Sequence, residues 1–244
     1  MKISITKLDT VSSTQDHAKH LAEGGATEGT VVVARVQDHG RGRLGRRWLS
    51  PEGGLWFSLI LRPACPPARV AGLTLLAAVS VTEAINAETG VKAGIKWPND
   101  ILIGDKKLGG VLTEMTATMN VVDYVVMGIG LNVNVATDKF PHDLLMPATS
   151  LQEETSREAN LDEILDVCLK NLARDYELFG GHFNDIMSRW KALSLVLGRQ
   201  VTVSQPGKCI SGTAFDVDGD GALLVSDDQG ATHVVHAGDL SILR

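Results

Sequence analysis

Hydrophobic and polar positions along this chain fall into two textures. In the first, apolar runs alternate between strand-like and helix-like periods. Residues 3–8 alternate and predict a strand. Ser12 and Ser13 then read as a cap for a helix over 14–23, closed by Gly24 and Gly25. The β-branched segment 30–36 and the apolar segment 55–61 predict two further strands, separated by a polar, glycine- and arginine-rich loop over 39–47. Pro66 and Pro67 open a long apolar helix running to about residue 88, which Gly90 ends. A strand over 94–103 is interrupted by Pro98; the Gly104-Asp105 turn and the 108–115 run then form a hairpin, and 121–129 reads as a buried strand. Two helices complete this part: one from an Asn160 cap with Glu163 three residues on, and one over 183–194.

At Gly198 the texture changes to short strands separated by turns such as Val217-Asp218-Gly219-Asp220-Gly221 and Asp227-Asp228-Gln229-Gly230. That spacing predicts a small β-barrel. The chain therefore reads as an α+β fold: a domain over 1–197 with a mixed sheet and packed helices, followed by an all-β barrel over 198–244. A domain this small has little core of its own and is expected to pack against the larger one.

Composition narrows the partners. The 244 residues carry a net charge of −6, which argues against non-specific binding to nucleic acid. Cys65, Cys168 and Cys209 are far apart, odd in number and without CxxC spacing, so neither a disulfide framework nor a zinc site is expected. The N-terminus lacks the apolar run of a secretory signal, and the longest mainly apolar segment, 70–85, contains Thr, Ser and Glu and suits a buried helix. No membrane association and a cytoplasmic location are the expectation.

Four polar clusters interrupt the apolar pattern. Residues 40–48, Gly-Arg-Gly-Arg-Leu-Gly-Arg-Arg-Trp, place four arginines and three glycines in an acidic protein. Glycines let the backbone approach a ligand, and guanidinium forks match phosphate and carboxylate oxygens. A bare arginine-rich loop is more often a solvated surface, but a position between two core strands favours a binding loop, mobile when empty and ordered by an anion. It is not a Walker A sequence. The second cluster is Lys96-Trp97-Pro98-Asn99-Asp100 with Lys106-Lys107-Leu108-Gly109-Gly110. Asp100 offers an oxygen ligand for Mg²⁺ and faces Lys107 across a tight hairpin; alone, each reads as a turn or surface residue. Gly128-Ile129-Gly130-Leu131-Asn132 ends an apolar strand, where glycines permit a flat ligand and Asn132 can read a base or ribose edge. Ser12-Ser13-Thr14-Gln15 is both a helix cap and a polar-ligand site.

Together and in this order, Ser13-Thr14-Gln15, Gly40-Arg41-Gly42-Arg43-x-Gly45-Arg46, Lys96-Trp97-Pro98-Asn99-Asp100, Lys107-Leu108-Gly109-Gly110 and Gly128-x-Gly130-x-Asn132 resemble the motifs of biotin protein ligases. The resemblance spans nearly the whole chain, and it identifies the C-terminal part with the family's SH3-like domain. It implies a ligase that forms biotinyl-5'-AMP from biotin and ATP with Mg²⁺, then transfers biotin to a lysine of a biotin carboxyl carrier protein of a biotin-dependent carboxylase.

By resemblance, Ser13, Thr14, Gln15 and Gln37 contact the ureido ring, and Gly40, Arg41, Gly42, Arg43, Lys107 and Gly110 complete the biotin site. Arg43, Arg46, Trp48, Lys96, Asn99 and Asn132 are expected to hold ATP, Asp100 to hold Mg²⁺, and Lys107, Arg43 and Asp100 to serve catalysis; that Asp100 is the base for the acceptor lysine is a hypothesis apart from the resemblance. Leu44 stands where some members carry arginine, which is expected to alter loop affinity. Gln15 stands where many carry asparagine, a longer amide that shifts the ureido contact. Some members carry an N-terminal DNA-binding module and repress transcription; a chain that starts at the catalytic part is expected to lack that role. Dimers are common in the family, so a homodimer is possible. The open alternatives are a lipoate or octanoyl ligase, a nucleotide or biotin sensor without turnover, and an SH3-like interaction module with an inert partner domain.

Overall fold

The computed structural model describes residues 1–141 and 143–243. Arg244, the last residue of the predicted barrel, lies outside them. The first sheet has seven strands: β1 (Ser4–Val11), β2 (Thr30–Gln37), β3 (Leu55–Leu61), β4 (Ala93–Lys96), β5 (Asp100–Ile103), β6 (Lys106–Thr118) and β7 (Val121–Leu131), in the order β1-β2-β3-β7-β6-β5-β4. Only β1 and β2 pair in parallel, because helix α1 (Thr14–Glu23) crosses between them; the other pairs are antiparallel. The sheet is thus mixed.

β3 lies inside the sheet between β2 and β7 and is buried along its whole length, as its sequence LWFSLIL requires. It contains one polar residue, Ser58, buried completely. β1 is an edge strand and mostly exposed, running three residues beyond the predicted 3–8, so its alternation does not mark a half-buried strand. The predicted strand 94–103 is a tight hairpin of β4 and β5, with Lys96 opposite Asp100 and Trp97-Pro98-Asn99 at its turn. Pro98 has no N–H to give a ladder and sits where none is needed.

One face of the sheet carries helices α2 (Val70–Thr89), α4 (Leu161–Leu178) and α5 (Phe183–Leu193). The 67–89 segment is the one helix among the described residues long and apolar enough to cross a membrane, and 72% of its apolar window is buried in the protein. It is a core helix, ended by Gly90 in the left-handed region at φ 75. A short helix, α3 (Leu151–Thr155), capped by Ser150, was not predicted; its five residues are too few for a periodic signal.

Strands β8 (Arg199–Gln205), β9 (Lys208–Val217), β10 (Leu223–Ser226), β11 (Thr232–Val235) and β12 (Asp239–Ile242) form a second, antiparallel sheet in the order β11-β10-β9-β8-β12, the small SH3-like unit. Its buried residues Val201, Val203, Ala214, Val217 and Leu223 join the same core cluster as α2 and α5. The Trp97 indole N–H donates to the Gly221 carbonyl at 3.1 Å, and Lys191 on α5 pairs with Asp216 at 2.6 Å. These contacts bring the β12 end of the small sheet to the mouth of the large one.

Candidate active site

A cavity of about 590 Å³ opens on the face of the large sheet opposite α2, between α1, the arginine–glycine segment, the β4–β5 turn and the start of β12. All the residues predicted for the site line it except Gly40, which is buried in the wall behind. A Cβ on Gly40 would sit 2.6 Å from Ser50 Oγ, so no side chain fits there.

One end of the cavity is neutral. Ser13 caps α1, its hydroxyl accepting from Asp16 N, and Thr14 and Gln15 follow in the first turn; all three are buried. Gln37 Oε1 accepts from Thr14 N at 2.7 Å and Thr14 Oγ1 at 3.0 Å, while its Nε2 donates to Ser50 Oγ at 2.7 Å. Ser58 Oγ lies 2.9 Å from Thr14 Oγ1 and donates to Gln15 Oε1 at 3.1 Å. Gln15 Nε2 donates to Val126 O at 3.0 Å and to Glu114 Oε2 at 3.1 Å. The side chains of this end are thus locked before any ligand arrives. Ser58 was missed from sequence; its signal is a single hydroxyl in a strand of seven otherwise apolar residues.

The other end is charged. The segment over 40–48 is a small hairpin, with an Arg41–Arg47 bridge and Trp48 N donating to Gly40 O at 2.8 Å. Its tip turns through Leu44 (φ 56) and Gly45 (φ 74), and Leu44 faces solvent. Arg43 Nη1 donates to Asn99 Oδ1 at 2.9 Å. Arg46 forms a two-pronged pair with Asp239 at the start of β12. Lys107 Nζ sits 2.6 Å from Asp100 Oδ1 and 5.2 Å from the Trp48 ring centroid.

Burial pushes the Lys96 ammonium below the ordinary lysine value, a shift the Asp100 charge resists and the Lys107 charge reinforces. Burial likewise lowers Arg43, which keeps its charge. The Arg46 hydrogen bond holds the Asp239 carboxyl below its usual range. Asp239 was missed because 193 residues separate it from Arg46 and it reads as part of a barrel turn.

Two glycines act differently from the expectation that they bare the backbone to a flat ligand. A Cβ on Gly128 would lie 2.5 Å from Gln15 Oε1, and one on Gly130 2.5 Å from Trp48 Nε1. They make room for the site's own side chains. Asn132 is buried; its Nδ2 donates to Thr149 O at 3.0 Å, and its Oδ1 has no partner among the described residues. A buried acceptor left open beside a cavity is suited to an exocyclic amine. Phe140, Leu144 and Leu145 complete an apolar wall nearby, with Leu145 well exposed.

No group of three or more His, Cys, Asp or Glu side chains able to hold a metal occurs among the described residues. Asp100 and Asp239 both line the cavity, each paired with a cation. Such a donor set fits Mg²⁺ arriving with a nucleotide's phosphates, because Mg²⁺ is commonly held by one or two carboxylates, water and phosphate oxygens.

Comparison with known proteins places the chain. Residues 8–132 match the model of the biotin/lipoate A/B protein ligase family, and residues 196–243 match that of the biotin protein ligase C terminal domain. The chain is 43% identical over 234 residues to the bifunctional ligase/repressor BirA of Bacillus spizizenii, an alignment covering 94% of this chain and 71% of that protein. It is 33% identical to the biotin--[acetyl-CoA-carboxylase] ligase of Paracoccus denitrificans, over 89% of this chain and 92% of the other. Among solved structures, the biotin protein ligase from Aquifex aeolicus in complex with biotin and ATP superposes with a TM-score of 0.84 at 32% identity, covering 99% of both chains.

Proposed function

The chain belongs to the biotin/lipoate A/B protein ligase family, and we propose that it works there as an ATP-dependent biotin protein ligase. Its acceptor is the lysine of a biotin carboxyl carrier protein or domain of a biotin-dependent carboxylase; the name of the Paracoccus relative gives acetyl-CoA carboxylase. The single observation that supports this reading is the two-ended cavity: a neutral, hydrogen-bonding end joined to a cationic end within about 590 Å³. A ureido ring suits the first. A carboxylate meeting a triphosphate suits the second. The dithiolane of lipoate offers no N–H or carbonyl to the neutral end.

Ser13, Thr14 and Gln37 take the ureido group, with Gln15 behind them. The biotin carboxylate attacks the α-phosphorus of ATP; a new O–P bond forms as the bond to pyrophosphate breaks, giving biotinyl-5'-AMP. Lys107, Arg43, Arg46 and Lys96 offset the charge that builds on the phosphoryl oxygens. Asp100 would hold Mg²⁺ arriving with the nucleotide, and the ion would supply further charge neutralisation. Asn99, Asn132 and Trp48 hold the nucleotide. In the second step the acceptor amine attacks the acyl carbon, AMP leaves and an amide forms; an ordinary lysine has a pKa of about 10.4, so a proton must first be removed, and Asp100 is the base we assign. Residues 1–197 carry this chemistry, and the barrel from 198 onward lends Asp239 and buttresses Trp97.

The test is pyrophosphate release with ATP and Mg²⁺, adding biotin or lipoate, with and without a carrier domain. The reading requires release that depends on biotin and turns over with carrier. Release driven equally by lipoate, or none with biotin, overturns it.

A further inference from the structure

Glu114 lies on β6, opposite Val126 of β7, and none of the motifs includes it. Its two carboxylate oxygens serve different partners. Oε1 accepts from Arg41 Nη2 at 2.6 Å, and Oε2 accepts from Gln15 Nε2 at 3.1 Å. Arg41 is also paired with Asp16 in the first turn of α1. One guanidinium therefore ties the base of the arginine–glycine hairpin to both a helix and the sheet.

The other arginines of the hairpin go elsewhere: Arg43 to Asn99, Arg46 to Asp239, and Arg47 to the Asp38 carbonyl. Arg41 thus anchors the hairpin, while Arg43 and Arg46 face the charged end.

Gln15 Nε2 donates to the Val126 carbonyl at 3.0 Å as well as to Glu114 Oε2, and both are acceptors only, so together they hold the Gln15 amide with its NH₂ toward the sheet and Oε1 toward Ser58. Ser58 then spends its one proton on Gln15 Oε1. The Thr14 proton is spent within the wall as well, on Ser58 Oγ at 2.9 Å or Gln37 Oε1 at 3.0 Å. Toward the cavity, Thr14 Oγ1 is left with lone pairs alone. It can accept an N–H and cannot donate.

We propose that Glu114 is a positioning residue with two effects: with Asp16 it clamps Arg41 at the base of the hairpin, and with the Val126 carbonyl it holds the Gln15 amide so that, through Ser58, Thr14 Oγ1 is kept an acceptor for a ligand N–H. The ligand side of this inference rests on the biotin reading above; the clamp does not.

Two isosteric variants separate the effects. Glu114→Gln removes the charged partner of the Gln15 amide, which loosens its hold, and weakens one arm of the clamp. We expect its KM for biotin in pyrophosphate release to rise about tenfold, the scale of one lost hydrogen bond to a charged group, with kcat within twofold of the parent. Asp16→Asn removes only the other arm, and should raise that KM less than threefold. Both should speed tryptic cleavage at the hairpin arginines of the ligand-free protein about fivefold or more, as expected when a local opening becomes easier.

Unchanged biotin KM and cleavage rate in Glu114→Gln overturn the proposal. So does a kcat loss that tracks a fall in melting temperature with KM constant, which marks a merely structural residue. Should the parent protein not use biotin at all, the proposed substrate fails, while the cleavage rates still decide the clamp.

Discussion

At the neutral end of the cavity Gln15 is 3% exposed and Thr14, Gln37 and Ser58 are tied to one another and to the wall by hydrogen bonds; at the charged end the side chains of Arg46 and Asp239 are 46% and 44% exposed. The first end is built in advance and sits on the most buried strands of the sheet. The second is assembled from a hairpin, a β-turn and the small second sheet, and it is held by ion pairs that water screens. A buried neutral ring needs a fixed, dry template, whereas a triphosphate must enter and pyrophosphate leave, so its cations have to exchange partners. Binding energy at the first end should appear in KM, and at the second in the rate of adenylation.

The sharpest break of this contrast is Lys107→Ala. Lys107 lies between Asp100 and the Trp48 face, where carboxylate and α-phosphate meet in the proposed mechanism. Biotin-dependent pyrophosphate release should fall about 100-fold or more, the scale of losing one preorganised electrostatic contact, while biotin affinity by calorimetry falls far less, through the lost carboxylate contact alone. A large loss of biotin affinity instead would merge the two ends into one site. Next in size is Arg43→Gly, which removes the arm reaching Asn99. Free biotinyl-5'-AMP in the medium should rise about tenfold, equivalent to ~1.4 kcal/mol of retention; chromatography of quenched reactions reads it, and no rise would deny the hairpin its sequestering role.

Thr14→Val tests the neutral end. The lost hydroxyl leaves Ser58 and Gln37 each one partner short, so unfolding should become easier by about 1–2 kcal/mol and biotin KM should rise about fivefold at constant kcat. Equal loss in kcat would mean that the neutral end takes part in adenylation.

The same division explains what could be read from sequence. Clusters contiguous along the chain, such as Lys96 to Asp100 and Gly40 to Trp48, were legible because one loop supplies several groups that line the cavity. So were β3 and α2, whose apolar runs leave little choice of state. Asp239 and Glu114 were not, since each gains meaning only through Arg46 or Arg41, brought near by folding. Gly128 and Gly130 line the cavity, and they also make room for Gln15 and Trp48, a second reason for glycine that the sequence does not reveal until the neighbour is known.

The smallest expected effect concerns pH. Lys96 faces Asp100, Lys107, Asp239 and Arg46, and burial sets its folded pKa below the unfolded value of 10.5. Between those two values the unfolded chain binds the extra proton, so the Lys96 contribution to stability rises with pH across that window. The positive charge at the cavity falls across the same window. Adenylation at saturating biotin should therefore decline on an alkaline limb that begins before ordinary lysines titrate, by roughly threefold, the scale of a partly exposed charge pair. Biotin KM, governed by neutral groups, should stay flat over that range. Lys96→Arg keeps its charge throughout and should flatten the limb; an identical alkaline decline in that variant would assign the titration to another group and leave the charged end without a pH-dependent member.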